Sequence, residues 1–138
     1  MLSTAMALVS LLQSNCHIAV IEIGDRPLKM EVANTSDERS RGLMRRSALE
    51  PFDGMIFAYD SPHHVRFWMK DTQLPLDMFF FDSDGRLVSL HRNATPFDRT
   101  PIDGGNNVQY VVEVEAGKQV EILAAHNPLL ELNACNSL

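Results

Sequence analysis

The chain has 138 residues, of which 45% are hydrophobic and 22% are charged. These values are typical of one globular domain and exclude wholesale disorder, collagen and coiled-coil architectures. Eighteen acidic residues against twelve basic ones give a net charge of −6, which argues against nucleic-acid binding because phosphate contacts need clustered Lys and Arg. No apolar run approaches the roughly 18 residues that a membrane-spanning helix needs, so we expect no membrane span.

The N-terminal segment supports two interpretations. Ala5 to Leu12 is a short apolar run, as in the core of a secretory signal. No Lys or Arg precedes it, so a short N-terminal helix docked on the domain explains the run equally well. Residues 1–16 are therefore assigned to a signal-like segment or to an N-terminal helix. We predict a periplasmic or exported protein, with a cytoplasmic location as the alternative.

The two cysteines, Cys16 and Cys135, lie near opposite ends of the chain. Neither belongs to a C-x-x-C pair, which argues against zinc and thioredoxin-type chemistry. Chain termini often lie close in space, and this allows a disulfide between them. Two unpaired structural thiols are the simpler expectation, and we favour it.

The first part of the chain predicts a hairpin followed by a helix. Residues His17 to Ile23 and Leu28 to Ala33 alternate between apolar and polar residues, as strands with one buried face do. Thr35 and Glu38 have the spacing of a capping box, which predicts the start of a short helix. Gly42 is suited to end that helix because glycine adopts the left-handed conformation without steric cost.

The remainder predicts short strands joined by turns and one long loop. The predicted strands are Met55 to Tyr59, His64 to Met69, Leu76 to Asp82, Arg86 to His91 and Val108 to Val114. A turn at Asp60-Ser61-Pro62 joins the first two, and Asp84-Gly85 is a strong hairpin signal. Asn93 to Asn107 is predicted to be a long polar loop. Gln119 to Ala125 is predicted to be a short helix, and Leu129 to Leu132 a last strand or a tail.

Many short strands with one or two short helices predict a mostly β fold. We expect a β-rich α+β single domain with a compact, antiparallel, barrel-like sheet. Residues 17–125 are assigned to this domain and residues 126–138 to a C-terminal tail. We expect a monomer or a weak homo-oligomer.

Three segments carry motifs whose order and spacing are specific. They are ERSRGLMRR at residues 38–46, GMIF at residues 54–57, and FWMKDTQLPLD at residues 67–77. Together they closely resemble the domain-of-unknown-function family 192 of bacteria and archaea, which shows a G-L-M-x-R turn, a G-M-L-F strand and a W-M-K-N-T loop running into P-L-D. VVEVEAG at residues 111–117 matches the family's V-L-E-L-x-A-G strand. The resemblance spans residues 18–117.

The resemblance implies a compact, mostly antiparallel β-barrel, and many family members carry an export or lipoprotein signal. It implies no catalytic residues. Asp71 stands where the family usually has Asn. This substitution adds a negative charge to the loop that matches the family's W-M-K-N-T motif, which we call the signature loop. The chain after Gly117 lacks the usual glycine-aspartate ending, which leaves the last strand open.

The signature loop is the best candidate for a binding site. Trp68 offers a flat apolar face and one N–H donor, which suits stacking on a sugar ring. Polar side chains around it supply the few convergent groups that a small-molecule site needs. The candidate ligand-binding residues are Arg45, Trp68, Lys70, Asp71, Thr72 and Asp77. In the structural alternative, Trp68 fills the core, Asp77 caps a turn, and Arg45 or Arg46 pairs with a nearby carboxylate.

These residues predict a non-catalytic, envelope-associated domain that binds a small polar molecule or a glycan in a Trp/Lys/Asp-lined cleft. One alternative is a small hydrolase that uses Asp71 or Asp77 together with Lys70. Another is a protein-interaction module in which the signature residues only maintain the fold. We predict no cofactor and no metal, because the adjacent His63 and His64 would point to opposite faces of a strand and no third ligand stands at a recognisable spacing.

Overall fold

The computed structural model describes residues 10–119 and 128–136. The strands in these ranges are β1 (Ile18–Ile23), β2 (Arg26–Ala33), β3 (Gly54–Phe67), β4 (Leu76–Phe81), β5 (Leu87–Ala94), β6 (Ile102–Glu115) and β7 (Leu130–Asn136). A 3₁₀ turn, Ser10–Leu12, precedes β1, and one α-helix, α1 (Ser36–Arg41), connects β2 to β3. Within the described ranges, no helix has both the length and the apolar character needed to cross a membrane.

The seven described strands form one sheet in the order β5-β4-β6-β3-β2-β1-β7, which curls into a half-barrel. Its two edges approach each other. The Leu130 N–H donates to the Gly85 carbonyl at 2.8 Å, and Arg86 forms an isolated antiparallel β-bridge with Leu129. The mostly β, barrel-like prediction is confirmed. In one respect the sheet differs from the antiparallel expectation: β2 and β3 run parallel, because the crossover through α1 returns the chain to the same end of the sheet.

Both faces of the central strands are buried. The inner cluster gathers apolar side chains from all seven described strands and fills the concave face of the half-barrel. The outer cluster lies on the other face, beneath the segment that includes α1. Strand β4 shows the alternation, since Phe79 and Phe81 join the inner cluster while Met78 and Phe80 join the outer one. This double burial explains why β4 reads as an almost continuous apolar run, LDMFFF.

The capping box predicted for α1 is present. The Thr35 side chain accepts the Glu38 N–H at 3.2 Å, and the Glu38 carboxylate accepts the Thr35 N–H at 3.1 Å. Gly42 ends the helix with a φ of 48°. Two otherwise unpaired amides are thus satisfied at the start of the helix, which stabilises it by about 1 kcal/mol.

The predicted turn at residues 60–62 does not separate two strands. Strand β3 continues to Phe67 beside β6, with Ala58 opposite Tyr110 and His63 opposite Val108. Four residues of β3 therefore face one residue of β6, and the ladder absorbs the Asp-Ser-Pro sequence as a bulge. The prediction of a strand–turn–strand hairpin at this point was wrong.

The long loop predicted from Asn93 to Asn107 is also much shorter than expected. Strand β5 extends to Ala94 and β6 begins at Ile102, so only residues 95–101 connect them. Gly104 lies inside β6. The position requires glycine, because a Cβ atom there would clash with the Phe80 ring and the Val65 side chain. This glycine marks close packing within a strand, a use that composition alone does not distinguish from a loop.

The two cysteines form a disulfide, with Cα atoms 5.6 Å apart, so the favoured expectation of unpaired thiols was wrong. Strand β7 pairs with β1 and places Cys135 opposite Ala19, close to Cys16, which directly precedes β1. The bond joins residues 119 positions apart. A cross-link of this span removes much of the entropy of the unfolded chain.

The structure describes the ends of the chain in part. Residues 1–9 of the N-terminal apolar segment lie outside the described residues, whereas Leu11 is buried in the inner cluster. Asn34 holds this segment by donating to the carbonyls of Leu11 and Gln13, each at 2.8 Å. The helix predicted to end at Ala125 lies outside the described residues after position 119. The segment assigned to a tail contains β7, which pairs with β1.

Candidate functional site

A cleft of about 290 Å³ opens on the outer face of the sheet. Helix α1 contributes Arg39 and Arg41 to its lining, and β3 contributes Tyr59 and Arg66. The signature loop, residues 68–75 between β3 and β4, closes the remaining side with Trp68. The cleft thus lies where the β2–α1–β3 crossover and the signature loop meet above the sheet.

Glu113 lines the cleft from β6, and its residue surface is only 3% exposed. In the sheet it stands between Met55 of β3 and Met78 of β4. No hydrogen bond to its carboxyl group is formed within the described residues. No side-chain N or O atom of the described, non-exposed residues is both sealed from solvent and unpartnered, so the carboxyl group reaches the open space of the cleft.

Burial raises the pKa of Glu113 to about 8. A carboxylate in apolar surroundings loses the solvation that favours its charged form. At pH 7 the floor of the cleft therefore carries a neutral carboxyl group with one O–H donor. A titratable group perturbed by burial at the base of a cleft is a typical feature of functional sites.

Tyr59 and Arg39 form one fixed part of the wall. The Arg39 guanidinium lies 4.9 Å from the centre of the Tyr59 ring, and its Nη1 donates to the Ala58 carbonyl at 3.0 Å. Burial raises the pKa of Tyr59 to about 12, with Arg39 opposing the change and Glu113 adding to it. The phenol is consequently neutral across the physiological range.

Two of the six candidate residues line the cleft. Trp68 is 46% exposed, so it presents its ring instead of filling the core, and the Lys70 ammonium lies 5.4 Å from the ring centre. Thr72 is buried, and its hydroxyl donates to the Lys70 carbonyl at 2.9 Å. That hydrogen bond fixes the turn of the signature loop beside the cleft.

Arg45 and Asp71 do not line the cleft, although they pair with each other. Their side chains approach to 3.4 Å, and the Arg45 N–H donates to the Asp71 carbonyl at 2.8 Å. Both residues have positive φ angles, 63° and 54°. The pair connects the turn after α1 to the signature loop, which is the structural role considered for Arg45. Its neighbour Arg46 pairs with Glu31.

Asp77 lies on the face of β4 opposite the cleft. It is 2% exposed, and its carboxylate accepts the Asn93 N–H at 2.7 Å and the Gly117 N–H at 3.1 Å. These contacts correspond to the capping role considered for it. Asp71 lies outside the cleft and Asp77 is enclosed on the other face of the sheet, so neither carboxylate of the hydrolase alternative lines the cleft.

Sequence reasoning missed the most unusual residue of the cleft, Glu113. It occurs in the strand VVEVE, where alternation suggests an ordinary polar face. The available signal was its position inside the family's V-L-E-L motif, between residues that are otherwise apolar. Arg39 and Arg41 also line the cleft. They belong to the ERSRGLM motif, but the sequence did not identify them as candidate binding residues.

A larger depression of about 430 Å³ lies on the other side of α1. Three of its charged groups are engaged, since Arg46 pairs with Glu31 and Glu38 caps the helix. Arg41 lies between the two depressions and lines both of them. We therefore regard the cleft above Glu113 as the stronger candidate. In the part of the chain that the structure describes, no three His, Cys, Asp or Glu side chains are grouped as metal ligands.

The fold and the cleft define a class of small, single-sheet half-barrels with one helix over the outer face. The chain belongs to the family DUF192, described as "Uncharacterized ACR", whose sequence profile matches residues 19–124. The chain is similar to two crystal structures. A protein of unknown function from Novosphingobium aromaticivorans DSM 12444 is 30% identical, with a TM-score of 0.72 and coverage of 84% of each chain.

The second structure is a Sinorhizobium meliloti 1021 protein described as a "putative transcription regulator". It is 34% identical to this chain, with a TM-score of 0.77, and the match covers 87% of this chain and 97% of that one. Among curated proteins, none matches this chain.

Proposed function

We propose that the protein is a non-catalytic binding domain whose cleft holds a small polar molecule or a short glycan. The observation that carries the proposal is the carboxyl group of Glu113, which faces the cleft without a hydrogen-bond partner among the described residues. A polar group in a cleft that the chain itself leaves without a hydrogen-bond partner is available to pair with a ligand. A ligand that pairs with this group explains why it is kept at the floor of an open cleft.

The size and lining of the cleft favour binding of a molecule no larger than a monosaccharide or disaccharide. Its volume of about 290 Å³ lies at the lower end of the roughly 300–1,000 Å³ of small-molecule sites. The exposed ring of Trp68 is suited to stacking on a sugar. Glu113 is the single acidic residue of the described lining, whereas glycoside hydrolysis usually employs two carboxyl groups, so we favour binding over hydrolysis.

Trp68 is the only tryptophan of the chain, so its fluorescence reports directly on the cleft. We expect a saturable change in emission and a raised melting temperature with at least one member of a panel of glucose, glucosamine, glucuronate and glucose 6-phosphate.

Trp68→Ala, followed by calorimetry, should weaken binding at least about tenfold, as loss of a stacked ring does. Val88→Ala is the control, since Val88 is also exposed but does not line the cleft. No saturable response to any member of the panel would refute the proposal.

We further propose that the protein works in the cell envelope. The disulfide between Cys16 and Cys135 supports this location because such bonds persist in oxidising compartments and are rare in the cytosol. Thiol alkylation of acid-quenched native cells tests the proposal. We expect both cysteines to resist alkylation until a reductant is added, and alkylation without reductant would contradict an envelope location.

The description of the Sinorhizobium protein raises DNA binding as a separate question. We expect none here, because 18 acidic and 12 basic residues leave little charge to neutralise phosphates. A duplex DNA of mixed sequence at low salt is therefore the negative control in the fluorescence titration. Saturable binding of this duplex would overturn that expectation.

A further inference from the structure

The charges inside the cleft indicate a class of ligand, an inference that rests on the proposed function. Arg39, Arg41 and Arg66 all line the cleft, and Glu113 is the acidic residue among its described lining. In a chain with a net charge of −6, this grouping of guanidinium groups is a local reversal of sign. Arginine is well suited to hold oxyanions because its planar group donates two parallel hydrogen bonds.

Arg41 and Arg66 are the two arginines open to a ligand. Both are exposed, and within the described residues neither forms an ion pair shorter than 4.0 Å. Arg66 does stand opposite Asp103 in the sheet, but that carboxylate already accepts the Gly105 N–H at 2.9 Å and contacts His64 at 2.8 Å. Arg39, in contrast, is engaged by Tyr59 and by the Ala58 carbonyl.

We propose that the cleft binds a saccharide-sized molecule carrying a carboxylate or phosphate group. Arg41 and Arg66 hold the oxyanion, and an oxygen atom of the ligand accepts the O–H of protonated Glu113. A ligand ammonium group would instead meet three guanidinium groups, so a cationic ligand of the same size is disfavoured. One ligand can therefore contact the arginines through its oxyanion and also accept a hydrogen bond from Glu113. The neutral carboxyl group supplies that donor without adding a negative charge that would repel the oxyanion.

Glu113 is the group of the described lining that changes charge between pH 6 and pH 9. Burial raises its pKa to about 8. Burial raises the pKa of Tyr59 to about 12, and the other charged side chains of the lining are arginines, a residue type that is always charged in proteins. Strand β4 and the signature loop add Leu76, Thr72 and Trp68 to the lining, none of which titrates. The pH dependence of binding therefore reports on Glu113.

Calorimetry with glucuronate, glucose and glucosamine at pH 7 tests the sign of the ligand, because the three sugars share one ring and differ in charge. We expect glucuronate to bind at least about tenfold more tightly than glucose, as charge-assisted hydrogen bonds are stronger than neutral ones, and glucosamine to bind most weakly. Glucose 6-phosphate against glucuronate then distinguishes the two oxyanions. If glucose binds as tightly as both anions, the inference fails while the proposed function stands.

Variants assign the anion to its arginines. Arg41→Gln and Arg66→Gln should each weaken glucuronate binding about tenfold and should weaken glucose binding by a clearly smaller factor, since glucose carries no oxyanion. Arg86→Gln is the matched control, because Arg86 is exposed at the β4–β5 hairpin and does not line the cleft. Equal effects of all three substitutions would mean that only the overall charge of the protein matters, which contradicts the proposed site.

The pH profile assigns the donor. The affinity of the wild type for glucuronate should be constant between pH 6 and 7 and should fall up to about tenfold per pH unit above 8, as Glu113 ionises. Glu113→Gln keeps a neutral N–H donor, so its affinity should stay within about threefold of wild type at pH 7 and should not change up to pH 9. Glucuronate binding that strengthens with pH would overturn the inference. So would a Glu113→Gln variant whose affinity falls above pH 8 in the same way as that of the wild type.

Discussion

Glu113 and Asp77 are both almost fully buried carboxyl groups on adjacent strands, but their surroundings differ. Asp77 of β4 stands opposite Val114, and Glu113 of β6 stands opposite Met78. The carboxylate of Asp77 accepts two backbone N–H groups, from Asn93 and Gly117. The carboxyl group of Glu113 receives no hydrogen bond from the described residues and faces a cleft instead.

The difference arises from a shift of one residue across the pleat, which places the two side chains on opposite faces of the sheet. On one face, the chain supplies Asp77 with backbone donors, and the carboxylate holds the end of β5 at Asn93 and the turn at Gly117. On the other face, Glu113 lacks such donors. Burial alone therefore does not distinguish a structural carboxyl group from a functional one, whereas the presence of a partner does.

The largest expected effect is on the pH dependence of stability. Burial raises the pKa of Glu113 from 4.5 to about 8, so the folded state keeps its proton where the unfolded chain releases it. The free energy of unfolding contributed by Glu113 is therefore fully present below pH 4.5 and falls by about 1.4 kcal/mol per pH unit up to about pH 8. Glu113→Gln removes this loss and should exceed wild type by several kcal/mol at pH 9.

Denaturant unfolding at pH 5, 7 and 9 measures this effect. Glu115→Gln is the matched control, since Glu115 lies on the same strand and is half-buried. We expect the stability difference between Glu113→Gln and wild type to grow across the series and to exceed that of the control at pH 9. A constant difference for Glu113→Gln would contradict the raised pKa that we assign to the buried Glu113 carboxyl group.

The second effect is the loss of the structural carboxylate. Asp77→Ala removes the acceptor of two part-buried hydrogen bonds, from the Asn93 and Gly117 N–H groups, at a cost of about 2 kcal/mol. Asp77→Asn keeps one carbonyl oxygen and should lose about half as much. Both variants should retain the wild-type affinity for cleft ligands, corrected for the folded fraction. A fully stable Asp77→Ala that no longer binds ligand would reverse the roles that we assign to the two residues.

The smallest effect concerns an exposed carboxylate, Asp71. Its pair with Arg45 is 3.4 Å long, and the two side chains are 39% and 71% exposed, so Asp71→Asn should change the free energy of unfolding by less than about 1 kcal/mol. Asn is the matched substitution because Asp71 has a φ of 54° and Asn tolerates that conformation. A double-mutant cycle with Arg45→Gln checks the coupling, and a value above about 2 kcal/mol would place this pair with the buried carboxyl groups.

The elements with local signals were predictable from the sequence. Alternation predicted β1 and β2, the apolar run LDMFFF predicted β4, Asp84-Gly85 predicted the β4–β5 hairpin, and the capping box predicted α1. The errors occurred where the local signal was ambiguous. Gly104 and the Asp60-Ser61-Pro62 segment favour turns in isolation, but the pairing of β3 with β6 keeps both within long strands, because the paired ladder and its packing outweigh local preference.

The candidate site was predictable in part. Trp68 and Thr72 line the cleft because the signature loop is fixed by short-range contacts such as the hydrogen bond from Thr72 to Lys70. Asp77 was selected from the same stretch of sequence but lies on the other face of the sheet. Its partners, Asn93 and Gly117, are 16 and 40 residues away, and no local pattern identifies partners at such distances.

The sequence by itself determined the class of fold, the family, the capped helix and the loop that carries Trp68, because these depend on periodicity, capping and motifs within a few residues. Only the tertiary structure decided that Cys16 meets Cys135 and that Glu113 lies at the floor of a cleft. Both depend on which strands become neighbours and on what covers each face of the sheet. The same acidic residue would be an ordinary solvent-facing side chain if α1 and the signature loop did not pack above it.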